Sequence, residues 1–410
     1  MCGLVVRCGV GAPEGRKELI RLSPRRAIAA TFAAYGLASG VWNGASASVV
    51  EHVGASATGF GIALTLFTGF YLFSMSGASA LAARIGVRRV LILALLTMGP
   101  ALGLCVGARS EWWMFAALSL YGAIGGLMDS TMNAEGARVE QDSGKPIFVQ
   151  FHAIASGTVA VGALIGGYLA FHGAVWVGAW LVEAGLVAAA LAVTRVIVER
   201  PADAARLKGG AHLKGVDLGL AILGLAVGVS IVCEGSALAW SALLLRRMSP
   251  GLAAFAGVGA TFFAGFQSLA RFRIDRVRRL VSDRTLMLGS YVVASVGLLL
   301  VAADAGFALS ALGFAVLGAG TAAIVPCGFS LAARRPGLSA GLAISAVSFF
   351  GLFPRAPAPL VTGVVADALS LPVAFFGLAL LMLVAMLGVA LFVPREARAF
   401  VQLSPKGAAE

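Results

Sequence analysis

The stretch Val232-Cys233-Glu234-Gly235-Ser236-Ala237-Leu238-Ala239-Trp240-Ser241-Ala242-Leu243-Leu244-Leu245 sets a single acid inside an apolar run that extends from 218 to 245. A run of about 20 apolar residues crosses a bilayer as a helix. Glu234 falls within a turn of the centre of this one, where a carboxylate costs about 3 kcal/mol on insertion scales. A chain keeps such a residue when it has a partner, a wet cavity or a proton. The stretch therefore reads as a transmembrane helix carrying part of a central site.

The rest of the chain has the same character. Of its 410 residues, 59% are hydrophobic and 12% charged, where a soluble domain carries about 25% charged residues. Glycine, at 53 residues, lets helices approach closely where lipid removes the hydrophobic drive between them. The fold class is all-α, a polytopic membrane protein. Twelve apolar segments can be marked: 27–49, 57–82, 88–107, 112–134, 152–172, 174–196, 218–245, 251–270, 285–303, 306–331, 338–363 and 371–393. They divide the chain into an N-terminal tail (1–26), a six-helix half (27–196), a polar linker (197–217), a second six-helix half (218–393) and a C-terminal tail (394–410). Six helices, a linker and six more helices are the pattern of a duplicated transporter.

The net charge of +12 would suit nucleic acid, but its distribution follows a membrane. Of the 31 Lys and Arg, all but Arg109, Arg246, Arg247 and Arg355 fall on the side of the termini, counting Arg271 among them. That bias obeys the positive-inside rule and puts both termini in the cytoplasm. The five cysteines have no metal-ligand spacing and imply no disulfide framework. Residues 1–22 lack the apolar core of a signal peptide and read as a cytoplasmic tail. No Walker loop or nucleophile motif is present, so neither an ATP-driven pump nor an enzyme is expected, and no cofactor or metal.

A weak internal repeat pairs Thr65-Leu66-Phe67-Thr68-Gly69-Phe70 with Thr261-Phe262-Phe263-Ala264-Gly265-Phe266. Each is followed by a basic loop, Ala83-Arg84-Ile85-Gly86-Val87-Arg88-Arg89 and Asp275-Arg276-Val277-Arg278-Arg279, though the loops need a gap of four residues to align. These loops resemble the Gly-x-x-x-Asp-Arg-x-Gly-Arg-Arg motif of the major facilitator superfamily. Arg84, Gly86 and Arg88 match its first copy and Asp275 and Arg276 its second, while Ala83 replaces the first Asp and Arg278 the second Gly. Such a loop either latches one arrangement of the halves or only fixes topology.

A closer resemblance covers most of the chain. Asn133-Ala134-Glu135-Gly136, Val139-Glu140, Phe151-His152-Ala153 and Glu234-Gly235 with Trp240-Ser241 are similar to the YbjJ-like, fucose-permease-related subgroup of bacterial inner-membrane proteins. Ala239 stands where that subgroup's seventh helix has an Asp, and Trp42-Asn43-Gly44-Ala45 where its first helix has an Arg. The resemblance implies the major facilitator fold, multi-pass in the bacterial inner membrane, and transport of a small solute.

Helical spacing selects the candidate site residues. Glu234 shares a stripe with Ser230, Ala237 and Ser241; burial favours its protonated form, which suits a proton carrier, or it is a neutral acid bonded to a carbonyl. Asp129 and Asn133, four apart, either bind solute and proton or close the inner gate. His152 is a possible relay or a packing residue. Ser345, Ser348, Leu352 and Arg355 form a stripe that Pro354, Pro357 and Pro359 break open; Arg355 either binds the solute, with Glu234 or Asp367 as a counter-charge, or snorkels outward. Asn43, Trp42 and Trp240 are the remaining solute-contact candidates, the tryptophans stacking on a ring or packing as wedges.

The leading expectation is a monomeric, proton-coupled secondary transporter that moves a small polar solute such as a sugar by alternating access. Its partners are the solute, protons and the lipid bilayer, with no nucleic acid. The alternatives are an exporter of hydrophobic or amphipathic compounds, motivated by Ala239 and the missing helix 1 Arg, and a non-transporting sensor or scaffold, motivated by Ala83 and Ala239.

Overall fold

Ser23, Ser56, Ser110, Asp217, Ser282, Ser339 and Ser370 each stand just ahead of an apolar run, and each side chain accepts a backbone N–H of the first helical turn. Such caps satisfy donors that a helix start leaves free. The computed structural model describes residues 23–144, 147–198 and 216–394. The expected tails (1–26 and 394–410) and linker (197–217) lie largely outside the described residues.

The helices are α1 (Pro24–Val53), α2 (Ala57–Ile85), α3 (Val87–Val106), α4 (Glu111–Ser143), α5 (Phe148–Phe171), α6 (Val175–Val196), α7 (Leu218–Met248), α8 (Val258–Arg278), α9 (Asp283–Ala302), α10 (Phe307–Thr321), α11 (Ile324–Ala333), α12 (Ala340–Arg355), α13 (Ala358–Ala368) and α14 (Leu371–Phe392). A short 3-10 turn, Pro250–Phe255, precedes α8. α10 and α11 form one broken crossing, as do α12 and α13. The second break falls where Pro354, Pro357 and Pro359 each remove a backbone donor. Among the described residues, fourteen α-helices thus make the twelve expected crossings. Ten crossings are long and apolar enough by composition; α1 and α4, of 30 and 33 residues, complete the set, their apolar runs diluted by Gly, Ser, Trp, Tyr and Asn.

Two of the basic loops prove to be helical. Ala83 and Arg84 lie in the last turn of α2, and α8 continues past residue 270 to Arg278, carrying Arg271, Arg273, Asp275 and Arg276. Hydropathy falls at 270 because the last turns of α8 meet polar surroundings, whereas the backbone has no reason to stop there: Arg is a good helix former.

The repeat is clearer in three dimensions. Gly122 of α4 lies against the Phe67 carbonyl of α2, where an added Cβ would stand 2.3 Å from that oxygen; Gly318 of α10 lies against the Phe263 carbonyl of α8, where the distance would be 2.0 Å. Arg88, second residue of α3, donates to Thr194 O at the end of α6 (2.6 Å). Arg284, second residue of α9, donates to Ala390 O (2.6 Å) and Val393 O (2.9 Å) at the end of α14. One constant offset in numbering relates Phe67 to Phe263, Gly122 to Gly318, Arg88 to Arg284 and the N-cap Gly86 to the N-cap Ser282. The four-residue gap disappears: matching Arg84 with Arg276 sets the register wrong, and Arg88 with Arg284 sets it right.

The halves, α1–α6 and α7–α14, meet mainly on the side away from the termini, the far side. There Asp367 accepts the N–H groups of Ala57 (3.0 Å) and Thr58 (2.7 Å), Arg246 pairs with Glu51 (2.6 Å) and Ser48 (2.5 Å), and Trp240 meets Phe60 edge-on at 5.0 Å. A seam between α5 and α8 runs inward from Thr261 Oγ1 on Ala160 O (2.9 Å) to Ser268 Oγ on Ala153 O (2.8 Å). Toward the terminal side α4 packs on α1, α2, α3 and α5, and α11 on α7, α9, α10 and α12, all within their own halves. Among the described residues, the halves are thus joined on the far side and along the α5–α8 seam, while α4 and α11 keep to their own halves.

Candidate functional site

Two polar clusters lie at the centre of the fold, and the charge of Arg355 reaches both. The first is built on α7 and α8 by side chains four residues apart, Ser230 with Glu234 and Gln267 with Arg271, a spacing that places each pair on one helical face. Glu234 Oε2 accepts Gln267 Nε2 at 2.7 Å and stands 3.7 Å from Arg271 Nη2; Ser230 Oγ reaches Glu234 Oε1 at 3.5 Å. Arg271 Nη1 donates to Ser156 Oγ of α5 at 2.7 Å, and Gln267 Nε2 also reaches Thr321 Oγ1 of α10 at 3.2 Å. The acid of one half is thereby tied to a hydroxyl of the other. With side-chain exposures of 16% for Glu234 and 19% for Arg271 the pair is mostly enclosed, and its mutual attraction with the Gln267 and Ser156 bonds offsets part of the desolvation penalty.

The second cluster belongs to the other half. Asn133 Nδ2 donates to Asp129 Oδ1 at 3.1 Å along α4. The Tyr71 phenol of α2 lies beside Asp129, and the Tyr35 phenol of α1 lies beside Tyr71. Arg355 enters from the break between α12 and α13. Pro354, beside it, seats on Gly228 of α7, and the Pro359 carbonyl lies at Gly61 of α2, so the break is wedged between the halves. The Arg355 charge acts on Asp129, Tyr71 and Glu234. Among the described residues, no hydrogen bond or ion pair holds it.

The other sequence candidates fall into three groups. Trp42 and Trp240 are buried, Trp240 at 1% exposure against Phe60, so both pack as wedges in this conformation. Asn43 is buried on α1, its carbonyl taking the Ser46 hydroxyl. His152 packs edge-on to Phe32 (5.3 Å) and Phe148 (4.9 Å). Gly86 joins α2 to α3 at φ +93°, a conformation glycine adopts readily. Arg88 binds the end of α6, Asp275 and Arg276 lie in the last turns of α8, and Arg84 stays in the last turn of α2, away from both clusters.

Sequence reasoning missed Arg271, Gln267, Tyr35 and Tyr71. The clearest available signal was helical spacing: Gln267 and Arg271 are one turn apart at the end of a marked segment. It also passed over Glu183, an acid amid the apolar α6. Glu183 Oε2 is buried without a hydrogen-bond partner, against Gly99 of α3.

A twelve-crossing, two-half helical fold with a polar centre defines a membrane transporter. Residues 27–281 match the family model of the Major Facilitator Superfamily, more than half of the chain, and the chain belongs to that family, whose members are transporters and not enzymes. It is 30% identical to the uncharacterized transporter y4wD of Sinorhizobium fredii, over 87% of this chain and 94% of that protein. It is 28% identical to an uncharacterized MFS-type transporter of Yersinia pestis, over 85% and 90%. Among solved structures it is similar in fold to the nucleoside transporter NupG (TM-score 0.71, 12% identity, 91% of this chain and 100% of that one). It is likewise similar to the human organic anion transporter MFSD10 (TM-score 0.61, 16% identity, 89% and 99%). At those identities the likeness is one of fold alone.

Proposed function

We propose that the chain is a proton-coupled secondary transporter that carries a small polar solute, of the size of a sugar, by rocking its two halves about the central clusters. It works as a monomer in a bacterial inner membrane with both termini in the cytoplasm, in line with the placement of Lys and Arg and the resemblance to the YbjJ-like subgroup. The observation that carries the reading is the chain Glu234–Arg271–Ser156, in which one carboxylate is linked through one guanidinium to the opposite half. Protonating Glu234 removes the charge that Arg271 faces, loosens that link and changes how strongly the halves hold together. Transfer of the proton to the cytoplasm restores the charge and the link. A carrier that binds its proton on one side and its solute in the same cleft drives accumulation when each favours the same arrangement of the halves.

The test is accumulation of radiolabelled sugars in proteoliposomes with and without an imposed pH gradient. Saturable accumulation that collapses on adding a protonophore is expected. Facilitated equilibration at the same rate with or without the gradient would contradict proton coupling.

A further inference from the structure

The proposal above leaves the chemistry of the solute open, and the charges at the centre of the fold narrow it. Asp129 and Glu234 are two acids near the middle of their crossings, and Arg271 and Arg355 are two guanidiniums beside them. Three of these side chains already have partners. Asp129 takes Asn133. Glu234 takes Gln267, with Arg271 at 3.7 Å, and Arg271 spends its other nitrogen on Ser156. Arg355 has neighbouring charges and no hydrogen-bonded partner among the described residues. A guanidinium presents five donors in a planar fork that matches a carboxylate, and one held at membrane depth is retained for such a contact.

We propose that Arg355 receives the carboxylate of the solute, so that the carried compound is a hydroxylated monocarboxylate taken up together with one proton. Resting on the proton-coupled reading above, this names the substrate class of that same site. The position of Arg355 fits the role. It stands at the α12–α13 break, seated by Pro354 on Gly228 and flanked by Pro359 at Gly61, where both halves can reach a bound group. On the same stripe of α12, Ser348 and Ser345 are exposed about two and three turns ahead of it and add hydroxyl groups along that stripe. Tyr35 and Tyr71, beside Asp129, offer hydroxyl groups to the body of the solute.

Charge balance supplies the coupling. With both acids ionised, two negative charges offset two positive ones and an anion gains little by entering. One proton on Glu234 leaves the centre one unit positive and an anion is drawn in. Proton and monoanion then raise each other's affinity, as linkage requires. The charged or titratable groups facing Glu234 are Arg271, Arg355 and Cys233; those facing Asp129 are Tyr71, Tyr35 and Arg355; His152 faces Arg271. One positive and one negative charge cross together, so transport is electroneutral.

The probes are D-glucuronate and D-gluconate, with D-glucose and D-sorbitol as neutral counterparts. Thermal unfolding of the purified full chain is followed in titrations of each. A carboxylate probe is expected to raise the unfolding temperature while its neutral counterpart does not. Arg355→Gln should weaken that binding at least about tenfold, and Arg355→Lys should retain part of it. In proteoliposomes, pH-driven uptake of the carboxylate should not respond to a potassium–valinomycin potential. The assignment is overturned if neither carboxylate binds the wild type, if the neutral probes bind equally well, if Arg355→Gln binds as tightly as wild type, or if the potential changes the uptake rate. If Arg355→Gln does not fold, unweakened binding by Arg355→Lys overturns it, because a point charge does not reproduce the fork. pH-driven uptake of a neutral sugar would leave the proton-coupled reading standing and remove this one. Carboxylate binding with no response to the pH gradient would do the reverse.

Discussion

Arg271 of α8 stands 3.7 Å from the Glu234 carboxylate of α7 and at the same time donates to Ser156 of α5 at 2.7 Å. One guanidinium therefore reads the charge of an acid in its own half and holds a hydroxyl of the other. Because the two side chains are mostly but not fully enclosed, the pair is neither a fully buried bridge nor a surface one.

Removing Arg271 leaves Glu234 without its ion partner, which costs several kcal/mol for a fully buried pair and less for a partly enclosed one. Arg271→Ala is expected to destabilise the protein by about 2 kcal/mol at neutral pH, and the loss should shrink in the background of Glu234→Gln. A double-mutant cycle in thermal unfolding measures the coupling. Equal losses in the two backgrounds would mean that Arg271 stabilises the fold through Ser156 alone.

Asp367 closes the far side by capping the start of α2 from the opposite half. Loss of a helix cap costs about 1 kcal/mol, close to fivefold in a two-state equilibrium. Asp367→Ala should therefore populate a far-side-open form. Spin labels at Ala55 and Leu369 should report an added longer distance; an unchanged distribution would show that the cap does not hold the gate.

The repeat predicts paired sensitivity. Gly122→Ala and Gly318→Ala each drive a methyl into a facing carbonyl, and overpacking costs about 1–3 kcal/mol. Gly377→Ala of α14 meets nothing within 4 Å and should be neutral or stabilising, since Ala is the better helix former. Unfolding temperatures of the three variants check the contrast.

On the terminal side, outside the membrane-spanning segments, Asp217 caps α7 and takes Arg335 Nε at 3.1 Å. Burial pushes its carboxyl up, but the Arg335 guanidinium and the Leu220 N–H pull harder, so it is held below the usual carboxylate range. A lowered value means that the contribution to stability is fully present above the unfolded Asp value of about 4 and is lost as pH falls through the lower folded value. Asp217→Asn keeps a cap and removes the charge. The stability gap between wild type and this variant should be constant from pH 8 to 5 and close on further acidification. A gap that persists at the lowest pH would mean that geometry, not charge, matters there. The effect should be small, because the side chain is half-exposed and surface pairs contribute little.

Most of the fold was legible because lipid imposes length and apolarity on each crossing. The serine-capped starts and the proline break before α13 were readable for the same kind of local reason. The site was legible in part. Glu234 stood out as an acid in an apolar run, and Arg355 as a cation beside three prolines. Arg271 did not, because it opens a basic run that on composition alone resembles a loop; only the continuation of α8 brings it beside Glu234. Tyr35 and Tyr71 looked like ordinary aromatic packing, since a sequence gives no sign of which hydroxyl meets an acid on another helix. Glu183 gave the same signal as Glu234 and was missed all the same. The true register of the repeat rests on contacts between helices, Arg88 with α6 and Arg284 with α14, that no local pattern contains.

Coupling of the proton to the solute through Glu234 is read by comparing driven accumulation with exchange. Wild type and Glu234→Gln are reconstituted side by side, and the best-binding member of the sugar and sugar-acid panel is followed in two assays, accumulation driven by a pH gradient and gradient-free exchange. Glu234→Gln is expected to lose accumulation by at least about tenfold while still exchanging solute, because it mimics the protonated acid and cannot release a proton. Accumulation at the wild-type rate in Glu234→Gln would contradict the account.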